Sequence, residues 1–405
     1  MNICMLAPEF LPVWGGVGTY IVELIRHLPK DINIYVLAPW RERIGPKNIS
    51  TGDYDLSRYF GENVTVRFIT KVSDIFISNA QFQYACFKYV PKILKEEKID
   101  LIHSHTANMP DLLLGLRKLN VPTVTTIHAT IRGKRNGTKS SGAGFGELDA
   151  SEKAIFLTYP FLRLAEDFYF SIKRYYITVS KWMCKQLEEQ YPGRGFSSMP
   201  VIYNSIDIER FSSRSKSVKK VQSNMVLFTG RLVAEKGVRY IIEAIPRVLS
   251  EYPETLFTFI GPGDFSEYWK MLKKKEISES NFSFIGYLKE SSDLVDFYRA
   301  CDIYLAPTLY ENLPIRVLEA MACEAPVIAS NVCGIPEIIK SGENGLLIPP
   351  RSTEDLASTI CHLLGDKNLR HKLGCNARRT VEKKFSWDTN IAHMVRVYES
   401  ILRHA

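Results

Sequence analysis

The chain has 405 residues, of which 45% are hydrophobic and 24% are charged, values that are ordinary for a soluble globular protein. This length exceeds what one compact core usually holds, so we expect two domains. The net charge of +8 suits an anionic substrate or a membrane surface. The basic residues are spread along the chain, without an aromatic-rich RNA-binding signature or a helix-turn-helix pattern, so we expect no nucleic-acid partner.

The amino-terminal residues MNICMLAPEFLP contain neither a basic stretch nor a long apolar stretch. No apolar run in the sequence reaches the roughly 18–20 residues of a membrane span. We therefore expect a cytoplasmic protein, and peripheral contact with the cytoplasmic face of the membrane stays open. The eight cysteines show no paired CxxC spacing, which predicts buried free thiols and no structural metal.

Short β-rich runs alternate with longer amphipathic runs along the chain. In the first half the predicted strands are NICMLAP, INIYVLAP, VTVRFIT, DLIHSHTA, PTVTTIHAT and YYITVS, and helical patterns such as GTYIVELIRHL separate them. In the second half they are MVLFTGRL, LFTFIGPG, FSFIGYL, DIYLAPT, APVIAS and NGLLIPP, with helices such as GVRYIIEAIPRVLSEY. This alternation predicts an α/β fold of two doubly wound, Rossmann-like domains facing a cleft.

A Ser-rich, basic and poorly periodic stretch at 205–224 separates the two halves and is interpreted as a linker. We therefore place a first domain at 1–205 and a second domain at 206–385. A helix at 386–405 follows, and we expect it to pack back on the first domain. In parallel sheets ligands bind beyond the carboxyl ends of the strands, so the candidate residues are sought there.

Strand ends of the first half carry a glycine loop and three histidines. In PVWGGVGTY, Gly16 opens a helix whose amides could bind an anion, although the loop does not match GxGxxG and could be a tight turn only. His128 ends TTIHAT, where it could bond a ligand hydroxyl or be structural. His103 and His105 share a strand face, but no third ligand is evident, so no metal site is predicted.

One strand-to-helix loop of the second half carries two cations. The stretch FTGRLVAEKGV places Arg231 and Lys236 five residues apart, directly after a predicted strand. A guanidinium can bond two phosphate oxygens at once, and an ammonium adds a mobile point charge. The pair therefore suggests a diphosphate site, with a solvated basic loop as the alternative.

Two carboxylates flank a proline in YENLPIRVLEAMAC. Pro314 suits the first turn of a helix, and the backbone from Leu313 to Ile315 would then offer free amides at the strand ends. Glu311 lies on the preceding loop and Glu319 on the helix itself. A carboxylate on an apolar helix needs a polar partner, which ligand hydroxyls or solvent could supply.

This stretch resembles the E-x7-E motif of the retaining GT-B glycosyltransferases usually called family 4. Further motifs of that family follow in order over nearly the whole chain: WGGVGTY, LIHSHT, TIHAT, ITVSKWM, VIYNSIDIERF, TGRLVAEKGV, FIGPG, FIGYL, APVIAS, GIPEII, NGLLIPP and FSWD. The resemblance implies a hexosyltransferase that uses a nucleoside-diphosphate sugar and a hydroxyl acceptor. It also implies that no metal and no cofactor is required.

The resemblance assigns donor-binding roles residue by residue. Arg231 and Lys236 match the basic pair that binds the donor's diphosphate, and Gly16 matches the glycine loop beside that phosphate. Glu319 matches the glutamate that holds the ribose hydroxyls. The backbone from Leu313 through Pro314 to Ile315 would help to bind phosphate or sugar.

Two further residues match those that contact the transferred sugar and are the implied catalytic residues, Glu311 and His128. The family retains the anomeric configuration, commonly explained by front-face attack through an oxocarbenium-like state. For Glu311 we prefer a positioning role over a nucleophilic one.

Two positions depart from the family pattern: Glu324, where glycine is frequent, and Cys333 before Gly334, where a glycine pair is usual. Both lie near the implied donor site, so the choice among UDP, GDP and ADP is less transferable than the fold. The basic, Gly/Ser-rich segment from Arg132 to Glu152 is interpreted as an irregular loop, either an acceptor-side lid or a disordered insertion.

The implied acceptor is a sugar or a lipid-linked molecule, as in the synthesis of a surface glycan, glycolipid or polysaccharide. Two alternatives to a glycosyltransferase stay open. One is a catalytically silent GT-B subunit that binds nucleotides, and the intact set of two cations and two glutamates argues against it. The other is a different GT-B enzyme, such as a nucleotide-sugar epimerase or a phosphorylase that uses pyridoxal phosphate.

Overall fold

A computed structural model of the chain describes residues 1–12, 15–42, 50–72, 78–106, 109–213, 224–288 and 291–404. Half of the predicted linker (214–223), and Val13 and Trp14 of the glycine loop, lie outside these residues. The chain divides into two compact units. The first unit contains Met1–Ile131, Thr158–Tyr203 and Trp387–Ala405, and the second contains Arg132–Leu157 and Asn204–Ser386.

The strands predicted in the first half form one parallel sheet in the first unit. They are β1 (Asn2–Leu6), β2 (Asn33–Arg41), β3 (Val64–Val72), β4 (Leu101–His105), β5 (Thr123–Ile127) and β6 (Tyr175–Thr178). Their order is β3-β2-β1-β4-β5-β6, so the direction of winding reverses between β1 and β4. Ligands of doubly wound sheets bind at such a reversal, and the loop after β1 leads to Gly16.

The second unit repeats this arrangement. Its strands are β7 (Asn224–Thr229), β8 (Thr255–Ile260), β9 (Phe282–Ile285), β10 (Ile303–Ala306), β11 (Val327–Ser330) and β12 (Leu346–Ile348). Their order is β12-β11-β10-β7-β8-β9, which puts the reversal between β7 and β10. The loops that follow these two strands carry the predicted cations and carboxylates, so the topology itself brings them to one edge.

The helices complete a doubly wound arrangement in each unit, which confirms the predicted fold class. They are α1 (Gly16–His27), α2 (Ser78–Glu96), α3 (Ile131–Ser140), α4 (Ala150–Ser171), α5 (Lys181–Gln190), α6 (Val238–Glu251), α7 (Ser266–Lys274), α8 (Ser291–Ala300), α9 (Ile315–Ala322), α10 (Ile335–Ile338), α11 (Thr353–Gly365), α12 (Lys367–Lys384) and α13 (Trp387–His404). Within the described part of the chain, no helix combines the length and apolar character that crossing a bilayer requires.

The expectation of an irregular loop at 132–152 is wrong. The segment forms α3, a short 3-10 turn at Phe145–Glu147 and the start of α4. The glycines of α3 lower its intrinsic helix propensity, and the absence of apolar residues in α3 after Ile131 removes the hydrophobic periodicity by which a helix is predicted. Contacts with residues 204–386 of the same unit, described below, stabilise the helix in place of intrinsic propensity.

The departure at Glu324 has a structural cost. Helix α9 ends in a Schellman motif, in which the amide of Ala325 donates to the carbonyl of Ala320 (3.0 Å) and the amide of Glu324 to that of Met321 (3.1 Å). This motif places Glu324 in the left-handed region, with φ at +62°. Cys333, the second departure, has φ at +51°. Both positions therefore have backbone conformations that glycine adopts more readily than other residues.

We expect Glu324→Gly to raise the free energy of unfolding by about 1 kcal/mol, because it relieves the left-handed strain that a Cβ imposes. Glu324→Ala is the matched control, since it also removes the carboxylate but keeps the Cβ. Chemical denaturation of the two variants measures the difference. Equal stability of the glycine and alanine variants would contradict the assignment of strain.

Candidate active site

Two strand-end loops of the second unit pack backbone against backbone. The carbonyl of Glu235, in the loop after β7, accepts from the Leu309 amide (2.8 Å) and the Thr308 hydroxyl (3.0 Å), both in the loop after β10. A Cβ on Gly237 would lie 2.0 Å from the carbonyl oxygen of Pro307, so only glycine permits this approach. The loop that carries the cations is therefore fixed to the loop that carries Glu311.

Lys236 and Glu311, which the resemblance assigns to donor binding and catalysis, form an ion pair. Both side chains are largely buried, so solvent screens the pair less than it would at the surface. A third strand-end loop approaches the same place, because the Gly334 amide donates to the carbonyl of Glu311 (3.4 Å). The loops after β7, β10 and β11 thus meet at this pair.

The surroundings of Lys236 favour an anion. Burial lowers the pKa of Lys236 to about 8, and the positive charges of Arg231 and Lys134 act in the same direction against Glu235. Arg231 lies 3.6 Å from Glu235, measured from Nη2 to Oε1, and is partly exposed. Three cationic side chains therefore act on one small region, where a bound polyanion would favour the charged form of Lys236.

Glu319 lies inside the second unit, with 1% of its surface exposed. Arg316 Nη1 donates to both carboxylate oxygens (3.0 and 2.8 Å), and the Tyr298 hydroxyl donates to Oε2 (2.7 Å). Burial raises the pKa of Tyr298 well above its ordinary value, so the phenol stays a donor. The carboxylate predicted to hold ribose is thus held by two protein groups, Arg316 and Tyr298, neither of which was predicted from the sequence.

The backbone expected to present amides at the start of α9 is enclosed by protein. Leu313 and Ile315 are buried, and the carbonyl of Leu313 accepts from Nδ2 of Asn204 (2.6 Å). Pro314 is the residue that caps α9, one position before the first helical residue. Asn204 lies at the end of the first half of the chain. The turn before α9 is therefore fixed by a residue that is distant in the sequence.

Helix α3 packs on Tyr310, the residue next to Glu311. A Cβ on Gly137 would lie 2.4 Å from the Cβ of Tyr310, and one on Gly133 would lie 2.2 Å from its hydroxyl oxygen. The two glycines are four residues apart and so lie on one face of α3. The Tyr310 side chain therefore packs directly on that face of α3.

Further contacts attach the same segment to the loop of Lys236. The amide of Glu235 donates to Glu152 (3.4 Å), and the Tyr240 hydroxyl donates to the carbonyl of Ser141 (2.9 Å). The glycine pair at i and i+4, together with Lys134 between them, is the sequence signal that could have identified this part of the site.

We expect Gly137→Ala to lower nucleotide affinity and turnover about tenfold or more, because Tyr310 must move and Glu311 with it. Alanine has the higher intrinsic helix propensity, which by itself would stabilise α3 by up to about 1 kcal/mol. Propensity alone therefore predicts no loss of function, whereas displacement of Tyr310 predicts a loss. Gly146→Ala, in the same segment, is the control, since a Cβ there meets nothing within 4 Å. Calorimetric titration with nucleotide tests the pair, and equal affinities would contradict the seating of Tyr310 by α3.

In the first unit, the predicted residues Gly16 and His128 lie at strand ends on either side of β4. Gly16 is exposed and is the first residue of α1. Tyr20, one turn further along α1, places its ring edge-on to His128, with centroids 4.8 Å apart. His128, which directly follows β5, is 9% exposed. The helix that begins at the glycine loop thus also packs against the histidine.

The neighbours of His128 fix which of its nitrogens carries hydrogen. Nε2 of His105 lies 3.2 Å from the sulfur of Met5, which can only accept a hydrogen bond, so this nitrogen is protonated. Burial lowers the pKa of His105 well below its ordinary value, so the ring is neutral and its Nδ1 accepts. Nδ1 lies 3.1 Å from Nε2 of His128, which must be the donor.

We therefore expect His105 and His128 both to carry hydrogen on Nε2 near pH 7. Nitrogen-15 NMR of histidine-labelled protein distinguishes the two tautomers directly. Met5→Leu, which removes the acceptor while keeping the volume, should let His105 populate the other tautomer. A spectrum in which Nε2 of His128 carries no hydrogen in the unmodified protein would contradict this assignment.

The comparisons with known proteins agree with the fold and the motifs. The family described as "Glycosyltransferase Family 4" matches residues 14–210, and the family described as "Glycosyl transferases group 1" matches residues 209–380. The two matches together extend over most of the chain. The chain therefore belongs to the GT-B glycosyltransferases of the group 1 and family 4 type.

Individual proteins are also similar to the chain, at sequence identities below 30%. An uncharacterized glycosyltransferase of Methanocaldococcus jannaschii is 28% identical, with 98% of each chain covered. Sucrose-phosphate synthase from Thermosynechococcus elongatus matches with a TM-score of 0.78, 18% identity and complete coverage of both chains. Anabaena HepE, solved in complex with UDP-glucose, matches with a TM-score of 0.72 and 17% identity over 99% of this chain and 100% of that chain. At these identities the two structures show the shared fold.

Proposed function

We propose that the chain transfers a hexose from a nucleoside-diphosphate sugar to a hydroxyl acceptor, with retention of the anomeric configuration. The observation that carries the proposal is Lys236, a buried ammonium beside two other cations at the reversal point of a doubly wound sheet. A buried group whose pKa is lowered by burial and like charge is typical of a functional site. The UDP-glucose bound to Anabaena HepE, which has the same fold, supports a nucleotide-sugar donor.

The diphosphate would take over the ammonium that Glu311 now holds. As the sugar leaves, negative charge develops on the diphosphate, and Lys236 and Arg231 would stabilise it. These cations supply the charge that a metal ion supplies in other transferases, so no metal is required in the proposed reaction. Glu311, released from Lys236, would then position the hydroxyls of the sugar. For His128, in the first unit, the resemblance implies contact with the transferred sugar.

On the acceptor side we propose a sugar or lipid-linked hydroxyl, used in the synthesis of a surface glycan, glycolipid or polysaccharide. The net charge of +8 supports an acceptor at an anionic surface. We place the enzyme in the cytoplasm, with peripheral contact at the cytoplasmic face of the membrane.

Calorimetric titration with UDP, GDP and ADP, each in magnesium and in EDTA, tests the donor site. We expect one nucleotide to bind selectively, to retain its affinity in EDTA and to bind Lys236→Ala much more weakly. Binding that requires magnesium would overturn the metal-independent site. Failure of all three nucleotides to bind would overturn the proposed function and favour the silent-subunit alternative.

A further inference from the structure

The outer face of α4 carries a row of exposed apolar side chains. Phe161, Leu164 and Phe168 are 76%, 67% and 44% exposed. Their spacing of three and four residues puts them on one face of the helix, and Leu157, also exposed, continues the spacing one turn earlier. Scattered exposed apolar residues are ordinary in soluble proteins, but a contiguous row marks an interaction surface.

The acidic residues near the row on α4 are either buried or paired with a cation. In the carboxyl-terminal half of α4 the acidic residues are Glu166, which is buried and accepts from the Ile131 amide (2.6 Å), and Asp167. Asp167 is neutralised by Arg163, with Nε 3.0 Å from Oδ1. Lys173, just beyond the helix, is exposed. The row on α4 is therefore apolar, with an exposed cation just beyond its carboxyl end.

A second basic and apolar element lies at the carboxyl end of α4. A Cβ on Gly115 would lie 2.4 Å from Cδ1 of Ile172, so the turn at Leu114–Leu116 packs directly on this end of the helix. Leu116 is exposed, and the next two residues, Arg117 and Lys118, are exposed as well.

The size of the row favours a bilayer over a protein partner. With about 200 Å² for each fully exposed side chain, the four residues including Leu157 offer roughly 500 Å², less than the roughly 800 Å² that each partner buries in a stable protein–protein interface. Attachment to a bilayer surface needs less area, because a few inserted apolar side chains act together with cations that attract anionic headgroups.

We propose that this face of α4 attaches the enzyme to an anionic lipid surface. The residues that carry the attachment are Phe161, Leu164 and Phe168, and the exposed Lys118 and Lys173 near the carboxyl end of α4 add attraction for anionic headgroups. The inference deepens the proposed function on its acceptor side, since it names the part of the chain that would approach a lipid-linked acceptor. It does not depend on the donor site.

Co-sedimentation with vesicles of phosphatidylcholine, with and without phosphatidylglycerol, tests the attachment. We expect the protein to bind the anionic vesicles, and less so at high salt. The double variant Phe161→Ser/Phe168→Ser should lose about tenfold or more of the binding. Lys118→Glu/Lys173→Glu should lose binding to anionic vesicles in particular. Tyr84→Ser is the matched control, because Tyr84 is an exposed aromatic residue on α2, and it should bind normally.

The same samples separate the failure of this inference from the failure of the proposed function. Normal nucleotide binding without any vesicle binding would overturn the attachment alone, as would a serine double variant that binds vesicles normally. Vesicle binding without nucleotide binding would leave the attachment standing and overturn the donor site. A dimer in analytical ultracentrifugation that the serine variant dissociates would show instead that a second copy of the chain covers the row.

Discussion

Replacing Lys236 by alanine is expected to lower the rate of sugar transfer about 10²–10³-fold, the usual effect of removing one preorganised group that stabilises charge in the transition state. The expected loss is large because Lys236 is mostly buried and lies where three loops meet, so no solvent cation can take its place. Donor hydrolysis measured with the nucleotide sugar whose base binds in calorimetry provides the readout when the acceptor is unknown.

Two further lysine variants define what the measurement means. Lys340→Ala is the control, since Lys340 is an exposed lysine of the same unit and pairs with Glu343 at 3.7 Å. Lys236→Arg retains the charge and should recover part of the activity. Turnover in Lys236→Ala within a factor of about two of the unmodified enzyme would reject the role of Lys236 in stabilising the leaving group.

The lowered pKa of Lys236 also predicts how nucleotide affinity depends on pH. A bound diphosphate favours the ammonium, so binding raises the pKa above its free value of about 8. Below pH 8 the ammonium is already present and affinity should be constant. As the pH rises above 8, affinity should fall, and binding near pH 8 should take up protons. Neither effect should occur in Lys236→Arg.

The second large effect is on stability. Arg316→Met is expected to lower the free energy of unfolding by about 3 kcal/mol, because it leaves the carboxylate of Glu319 buried without its cation. Glu319→Gln should cost less, about 1 kcal/mol, since Arg316 is partly exposed and can be hydrated. A larger loss of stability in Arg316→Met than in Glu319→Gln indicates an unpaired buried charge, whereas lost packing alone predicts no such difference.

Chemical denaturation of both variants measures these differences. Arg247→Met is the surface control, because Arg247 pairs with the exposed Glu354 and the loss of such a pair costs little. Equal stability of Arg316→Met and Glu319→Gln would contradict the dependence of the Glu319 carboxylate on Arg316. Glu319 could then bind ribose without giving up a stabilising contact with Arg316.

The strands were the most predictable part of the fold. Runs such as NICMLAP are apolar without alternation, because a strand in a parallel sheet is buried on both faces, and β1 lies within that run. Helix α3 could not be predicted in this way. It has two glycines and an asparagine, and it is stable where it is because its glycine face accommodates Tyr310 from a distant part of the chain.

The candidate site likewise has features that the sequence predicts and features that it does not. The closeness of Lys236 and Glu311 follows from the reversal of strand order between β7 and β10, which the alternation of strands and helices implies. The bond from Arg316 to Glu319 follows only from helix geometry three residues apart, and the sequence gives no sign that Glu319 faces inward rather than to solvent. The tautomer of His128 depends on Met5, a residue that no motif includes.

The return of α13 to the first unit has a consequence for protein synthesis. Trp387 packs against His27, with ring centroids 5.3 Å apart, and the Tyr398 hydroxyl lies 2.7 Å from Nδ1 of His103. All of residues 204–386 are translated between Tyr203 and this helix, which takes roughly 10–40 s at ordinary elongation rates. The amino-terminal unit therefore lacks one wall of its core while most of the second unit is being made. The part of the chain that is made first is completed last.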